Sequence, residues 1–369
     1  MKKIVITGSN GFIGKNLNCY LASSEQYSIE TICKNDTKET IRNKLQDADI
    51  IFHLAGANRP KDENEFKDTN VKFTEEIIDI AESGTKSFKF IYASSIQATL
   101  ENPYGRSKLD GELILKQKIR KGELIIYRLP GVFGKWCKPN YNSVVATFCY
   151  NISRELPIQI NDENHTLTLV YIDDVINSFA NQINNRNENG SVIYPEVDPI
   201  KKITLKELSD LIVDFKKRRK ELKIPNIAEP FIKKLYSTYL SYLPEDQFSN
   251  QADVKMDNRG SLFEILKSEN SGQIFVSTTL PGITRGNHYH HTKTEKFIVI
   301  QGEGVIRFRK IDSQEIIQYN VTGKNPEIVD IPTGYTHNIT NTGTEIMITI
   351  FWANEIFNPS VPDTYFKEV

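Results

Sequence analysis

No stretch of this 369-residue chain approaches the roughly eighteen consecutive apolar residues that a membrane-spanning helix requires, so no membrane insertion is expected. Net charge is equally absent. Forty-six basic residues stand against 47 acidic ones, so no basic surplus points to nucleic acid and no charge block reads as an interaction tail. Cysteines are few, and the four present (Cys19, Cys33, Cys137, Cys149) lack paired spacing. Free thiols of a cytosolic protein are expected in place of a disulfide framework. Met1-Lys-Lys runs straight into Ile4-Val-Ile, too short an apolar run for a signal peptide, and a cytoplasmic location follows as the expectation. There is no internal repeat. What the chain does have is length for two or three domains and 10% aromatic residues, enough for a sizeable core.

Ile4-Val-Ile-Thr reads as a buried parallel strand. Gly8-Ser-Asn-Gly11-Phe-Ile-Gly14 follows, and then a helical pattern through Leu17, Tyr20 and Leu21. Strand, glycine-rich turn and helix together form the context in which backbone approaches a pyrophosphate and a helix N-terminus supplies N–H groups. Glycines also serve turns for purely steric reasons, so the neighbouring runs matter. Ile29–Cys33, Asp49–Gly56, Lys89–Ser95 and Leu124–Arg128 read as further strands, with helical stretches such as Val71–Glu82 between them. This alternation predicts an α/β doubly wound parallel sheet.

Tyr104 and Lys108 stand four residues apart, one helical turn, and Ser94-Ser95 ends the preceding strand. A phenol titrates near about 10. A neighbouring ammonium favours the phenolate, which makes the tyrosine usable as an acid or base. A hydroxyl at Ser95 is placed to hydrogen-bond a substrate oxygen. The alternative is an ordinary helix surface pair.

These motifs, with His53-Leu54-Ala55-Gly56, Asn70-Val71, Arg128-Leu-Pro-Gly-Val-Phe-Gly134 and Tyr171-Ile-Asp-Asp-Val175, make residues 1–245 resemble the extended short-chain dehydrogenase/reductases, a Rossmann family that modifies nucleotide sugars. The resemblance implies Tyr104 as proton donor, Lys108 on the nicotinamide ribose, and Ser95 on the substrate oxygen. It places the cofactor against Gly8, Asn10, Gly11, Phe12, Ile13, Gly14, Lys34, Leu54, Ala55, Gly56 and Lys108. Gly131 departs from the pattern, standing where many relatives carry a substrate-binding Asn.

After the second strand, NAD-preferring sites carry an acidic residue for the ribose 2′-OH. Lys34 near that place favours a 2′-phosphate and hence NADPH; the alternative leaves Lys34 solvated and gives the ribose to Asp36. Arg128, Lys138, Asn140 and Asn142 are candidate contacts to phosphate or sugar hydroxyls. The bland reading of the last three is a polar loop capping a helix from Ser143. Lys201–Lys223 reads as a basic helix with Leu205, Leu208, Leu211, Ile212 and Phe215 on its apolar face, and Phe231–Leu243 as an aromatic one.

From Met256 the periodicity changes to short β-rich runs punctuated by Gly, Pro and Asn. His288 and His290 are two residues apart, so on a strand they share a face. Glu295 joins them if the next strand returns beside them, and His337 is a fourth candidate. Three imidazoles and a carboxylate suit a divalent first-row metal. His291 should point the other way.

The spacings Gly-x5-His288-x-His290-x4-Glu295-x6-Gly302 and Pro332-x-Gly334-x2-His337-x3-Asn341 resemble the two cupin motifs. The resemblance implies an all-β jelly-roll barrel over residues 253–369, with His288, His290, Glu295 and His337 as ligands, Zn being the expected metal. The whole chain, including Arg307-Phe-Arg309 and Pro362–Val369, resembles a family of capsule and O-antigen enzymes that fuse both modules. That family makes UDP-2-acetamido-2,6-dideoxy-L-talose from a UDP-linked 4-keto-6-deoxy amino sugar. The implied chemistry is C3 epimerisation in the barrel followed by C4 reduction with NADPH. Tyr289 and Tyr335 are candidate bases. A homodimer is expected, since cupin barrels pair through their sheets. The rival reading is a reductase whose barrel only binds ligand or dimerises.

Overall fold

Four strands of the first half are apolar at nearly every position, which only a sheet covered on both faces explains. β1 (Lys2–Thr7), β2 (Tyr27–Ile32), β3 (Ile50–His53), β4 (Lys89–Ser95) and β5 (Glu123–Leu129) form a parallel sheet with the short β8 (Val192–Ile193), in the order β2-β1-β3-β4-β5-β8. The computed structural model describes residues 1–60, 62–185 and 191–369.

Alternate side chains of these strands enter two cores. Ile4, Ile6, Phe52, Ile91 and Tyr127 pack with Leu17 and Leu21 of α1 (Phe12–Ala22) and Phe179 of α7 (Ile172–Asn184). Val5, Ile51, Phe90, Tyr92 and Ile126 pack on the other face. There they meet α2 (Lys38–Leu45), α4 (Phe73–Ser83) and α5 (Pro103–Lys118). The doubly wound sheet is therefore present. Its order reverses between β1 and β3, and a ligand crevice lies at the carboxyl ends of strands at such a switch point.

A small sheet unseen in the sequence joins β6 (Gly131–Phe133), β7 (Thr166–Tyr171) and β9 (Ile200–Thr204). β9 corrects the expected helix from Lys201. Residues 201–204 pair with β7, and α8 begins only at Leu205, ending at Lys220. The reason is a capping box: Thr204 Oγ1 accepts from Glu207 N, and Glu207 Oε2 accepts from Thr204 N. The expected helix after Ser143 is α6 (Val144–Ser153), whose Ser143 hydroxyl accepts from Ala146 N. α9 covers Pro230–Leu240.

The chain divides into two units, Met1–Ile212 with Lys234–Leu243, and Val213–Lys233 with Pro244–Val369. The second unit is built on two antiparallel sheets. One runs β10 (Lys255–Asp257), β11 (Gly260–Ser268), β12 (Gly272–Thr279), β19 (Met347–Ala353), β14 (Glu295–Gln301) and β17 (Ile328–Ile331). The other runs β16 (Ile316–Thr322), β15 (Glu303–Lys310), β18 (Tyr335–Asn341), β13 (Thr284–Tyr289) and β20 (Tyr365–Phe366). Phe297, Val299 and Phe351 of the first sheet meet Ile306, Phe308 and Ile339 of the second in one core, the jelly-roll arrangement expected. No helix of the described residues is long and apolar enough to cross a membrane.

Candidate active sites of the two units

The glycine turn after β1 lies against the turn after β3, at the switch point. Gly8 has φ of 69°, and a Cβ there would stand 2.6 Å from Ala55 N; a Cβ on Gly14 would stand 2.1 Å from Gly8 O. These two glycines are needed for close backbone approach as well as for the turn. Gly11 caps α1 through its backbone alone, without a side-chain cap, which leaves first-turn N–H groups, those of Phe12 and Ile13 among them, for a phosphate. Asn10 Nδ2 reaches Cys33 Sγ at 3.9 Å, tying the turn to the end of β2. Beyond β3, Leu54 N and Ala55 N both bond Thr7, and Gly56 leaves room for Lys108 Nζ, 3.1 Å from where its Cβ would be. Lys34 is exposed in the turn after β2. Asp36 is already engaged: its Oδ2 accepts from Cys33 N at 3.0 Å and from Lys44 Nζ at 2.6 Å.

α5 is placed by its first turn. Asn102 Oδ1 accepts from Gly105 N, Pro103 begins the helix, and a Cβ on Gly105 would stand 2.2 Å from Gln97 O. The helix therefore lies tightly on the turn after Ser95, whose hydroxyl accepts from Gln97 N. Burial pushes the Tyr104 phenol above its ordinary value, and a hydrogen bond with Ser95 opposes this. Lys108 is buried and donates to Ala93 O at 2.8 Å. Its burial brings the ammonium down to about 8, against the pull of Glu112. Desolvation of the phenol thus outweighs the depression of Tyr104 expected from Lys108.

Asn70 carries the geometry that sequence reasoning missed. It sits in a π-helical stretch, Lys67–Lys72, between the short α3 (Asn64–Phe66) and α4. Its Oδ1 accepts from Ala57 N, and its Nδ2 donates to Ala57 O and to Ser107 Oγ, which donates to Tyr104 O. One buried amide thus joins the turn after β3 to the turn of α5 that bears Tyr104. The signal was present as Asn70-Val71, but a π-helix has no distinct propensity pattern to read.

The candidate substrate contacts are unequally placed. Arg128 makes a two-pronged ion pair with the fully buried Glu112, at 3.0 and 2.7 Å, and Ser94 and Tyr194 also donate to that carboxylate. Asn140 gives Nδ2 to Asn151 at 3.4 Å and its N–H to Thr147 Oγ1, the loop-capping role. Lys138 lies 5.3 Å from the Tyr141 ring centroid, and Asn142 is exposed. Gly131 begins β6.

In the β unit, His288, His290, Glu295 and His337 come together, with ligand atoms all within 4.8 Å of one another. A bulge makes this possible. Gly286 (φ 100°) opposes Asn338, Asn287 (φ 61°) is extra, and His288 then opposes His337. Without the extra residue His288 would turn outward. Glu295 joins the histidines, but its strand does not return beside theirs. It opens β14 and reaches in from the facing sheet. His291 is exposed, its ring against Tyr365.

The four side chains fit a metal ion. His290 Nδ1 donates to Asp363 O at 2.6 Å. A carbonyl only accepts, so in the neutral imidazole Nε2 is the bare nitrogen, and it faces Glu295 Oε2 at 3.3 Å. In that form two acceptors face each other, a contact that a proton or a metal ion between them satisfies. His337 is buried with neither ring nitrogen hydrogen-bonded. Burial, helped by His337 and His290, draws His288 down to about 4. Burial acts to raise the Glu295 carboxyl, and the imidazoles of His290 and His337, when protonated, outweigh it, holding the group down at about 2. Neutral His288 and ionised Glu295 are the forms that ligate metals.

Comparison with known proteins follows the same division. Residues 4–194 match the NAD dependent epimerase/dehydratase family, and residues 255–365 match the polysaccharide biosynthesis C-terminal domain. The chain is 42% identical over 368 residues to a UDP-2-acetamido-2,6-beta-L-arabino-hexul-4-ose reductase of Pseudomonas aeruginosa, covering 98% of both chains. Among solved structures it resembles the capsular polysaccharide assembling protein CapF of Staphylococcus aureus, with 48% identity, a TM-score of 0.90, and coverage of 99% of this chain and 100% of that one. A second CapF structure, with the inhibitor 3-isopropenyl-tropolone, matches at 43% identity and a TM-score of 0.85, with all of both chains covered. With a glycine turn at the switch point of its parallel sheet and a two-sheet β unit behind it, the chain belongs to the NAD dependent epimerase/dehydratase family and carries that family's domain ahead of a polysaccharide biosynthesis C-terminal domain.

Proposed function

We propose that the protein inverts C3 of a UDP-2-acetamido-2,6-dideoxy-4-hexulose in its β unit and reduces C4 in its α/β unit with NADPH. The product is UDP-2-acetamido-2,6-dideoxy-L-talose, a precursor for capsule or O-antigen. One observation carries this reading: a chain that matches a hexul-4-ose reductase over 98% of its length also gathers three imidazoles and a carboxylate inside a barrel. A 4-ketone acidifies the hydrogen on C3, because deprotonation leaves an enolate. Once C4 is an alcohol that acidity is gone, so the β unit acts first.

In the β unit one side chain removes the C3 proton, and a proton returns on the opposite face of the ring. Strand parity favours Tyr335 in this role. It precedes His337 by two residues on β18 and packs on the inner core, whereas Tyr289 stacks on Tyr365. A divalent metal, Zn by its donor set, would be held by His288, His290, Glu295 and His337 and supply positive charge beside the enolate oxygen.

In the α/β unit bound NADPH supplies the hydride. Tyr104 protonates the C4 oxygen, Ser95 hydrogen-bonds it, and Lys108 holds the nicotinamide ribose. Engagement of Asp36 by Lys44 and Cys33 N supports the 2′-phosphate, since Asp36 is already paired while Lys34 is exposed in the same turn. Lys138 and Asn142 remain open for the sugar nucleotide; Arg128 contributes through its exposed edge while Glu112 fixes its orientation.

Incubation of the 4-keto sugar with metal-loaded protein in D2O, without NADPH, should place deuterium at C3. No exchange from protein that still oxidises NADPH rejects the epimerase assignment and leaves a reductase with a binding barrel. Tyr104→Phe should lower NADPH oxidation about 10²–10⁴-fold while the exchange persists. Oxidation at the wild-type rate removes Tyr104 from its role.

A further inference from the structure

The connector between His290 and Glu295 crosses from one sheet to the other, so its path sets how two candidate ligands meet. A distant segment holds it. Asp363 has φ of 38°, a region that costs a non-glycine residue energy unless its surroundings hold it there. Its Oδ1 accepts from His291 N at 3.0 Å. Its Oδ2 accepts from Thr292 N at 2.9 Å, Lys293 N at 2.8 Å and Thr292 Oγ1 at 2.9 Å. Three consecutive backbone N–H groups thus converge on one carboxylate.

The connector grips the segment in return. Lys293, only 5% exposed, donates to Pro362 O at 2.6 Å and to Thr364 Oγ1 at 3.0 Å. Beyond it, Tyr365 and Phe366 pair with Tyr289 and His288, and Lys367 N donates to Asn287 O at 3.0 Å. Between these two sets of bonds lies the contact of Asp363 O with His290 Nδ1.

We infer that Asp363 is a positioning residue for the metal centre: its carboxylate sets the path of residues 291–293, and its carbonyl keeps the His290 proton on Nδ1 with Nε2 turned inward. The inference rests on reading His288, His290, Glu295 and His337 as that centre. A hydrogen bond to the distal nitrogen of a ligating imidazole fixes its tautomer and raises its basicity, and loss of such a partner costs about 10–100-fold in metal affinity. Lys293 acts one step further out, by holding the segment that carries Asp363.

The test uses the full chain stripped of metal, titrated with Zn(II) against a chromophoric chelator, and separately loaded with Co(II) for its visible spectrum. Wild type should bind one ion per chain, and His337→Ala should lose most of that affinity. Asp363→Ala should bind about 10–100-fold more weakly with shifted Co(II) bands. Asp363→Asn, which keeps one acceptor oxygen, should fall between. Lys293→Met should weaken binding in the same direction, and with Asp363→Asn it carries the test if Asp363→Ala does not fold. A segment that only stabilises the barrel would lower the metal-free melting temperature and leave affinity and spectrum unchanged. That result, with His337→Ala still defective, overturns the inference and leaves the centre standing. Wild type binding no better than His337→Ala overturns both.

Discussion

His53 closes β3 with both ring nitrogens held by hydroxyls, Nδ1 at 2.8 Å from Thr7 Oγ1 and Nε2 at 2.9 Å from Thr74 Oγ1, and none of it exposed. Burial first, and the Lys108 charge second, bring its pKa down to about 3. In the unfolded chain it titrates near about 6.5. Between those values the unfolded state binds the extra proton, so stability rises with pH across the window and is lost on acidification. The loss is roughly 1.4 kcal/mol for each pH unit below about 6.5. Urea unfolding at pH 7 and pH 5 should show a steeper drop for wild type than for His53→Gln; equal drops would assign the acid sensitivity elsewhere. This residue was legible only as part of a motif. Its role as a neutral pin between β1 and α4 depends on two threonines 46 residues before it and 21 after. Tyr104 and Lys108 were different, because four-residue spacing on a helix places them together whatever surrounds them.

Among the elements, β13 shows how local pattern and tertiary pairing divide the work. The parity of His288 and His290 was readable, but parity does not say which face is inward. Asn287, inserted opposite the β18 ladder, decides it. Gly286→Ala should therefore damage the site without touching a ligand. At φ 100° its Cβ would stand 2.8 Å from His337 O and 2.9 Å from Asn338 Cα, a strain of about 1–3 kcal/mol if the backbone holds. Zn(II) affinity should fall while NADPH binding, followed by nicotinamide fluorescence, stays at the wild-type level; unchanged Zn(II) affinity would mean the bulge tolerates a side chain. β9 gives the converse lesson. Lys201-Lys202 favoured a helix by composition, yet pairing with β7 prevailed and the Thr204–Glu207 capping box marked the true start of α8. That signal was present in the sequence as Thr-x-x-Glu.

For the whole molecule, the two proposed chemistries would call for two environments that one sheet does not provide: an open crevice at strand ends for a dinucleotide, and an enclosed cluster of imidazoles for proton transfer at carbon. The β unit leaves apolar side chains exposed on strands at its sheet edges, Ile316, Ile317 and Tyr319 on β16 and Ile328 on β17. Bare apolar edges invite pairing. A homodimer is accordingly expected, with sedimentation equilibrium reading twice the 42.2 kDa chain mass; a single-chain mass at micromolar concentration would refute it.

Short-range order in the chain was enough to determine the glycine turn, the Tyr104–Lys108 pair, the shared face of His288 and His290, and the change from α/β to all-β character. Each of these follows from spacing within one element, where backbone geometry fixes the outcome. The entry of Glu295 from the facing sheet, the bulge that turns His288 inward, the bridge made by Asn70 and the grip of Asp363 on residues 291–293 were settled only on folding. Strand register and long-range hydrogen bonds depend on pairing free energies summed over many residues far apart in the chain, and no window of the sequence contains both partners.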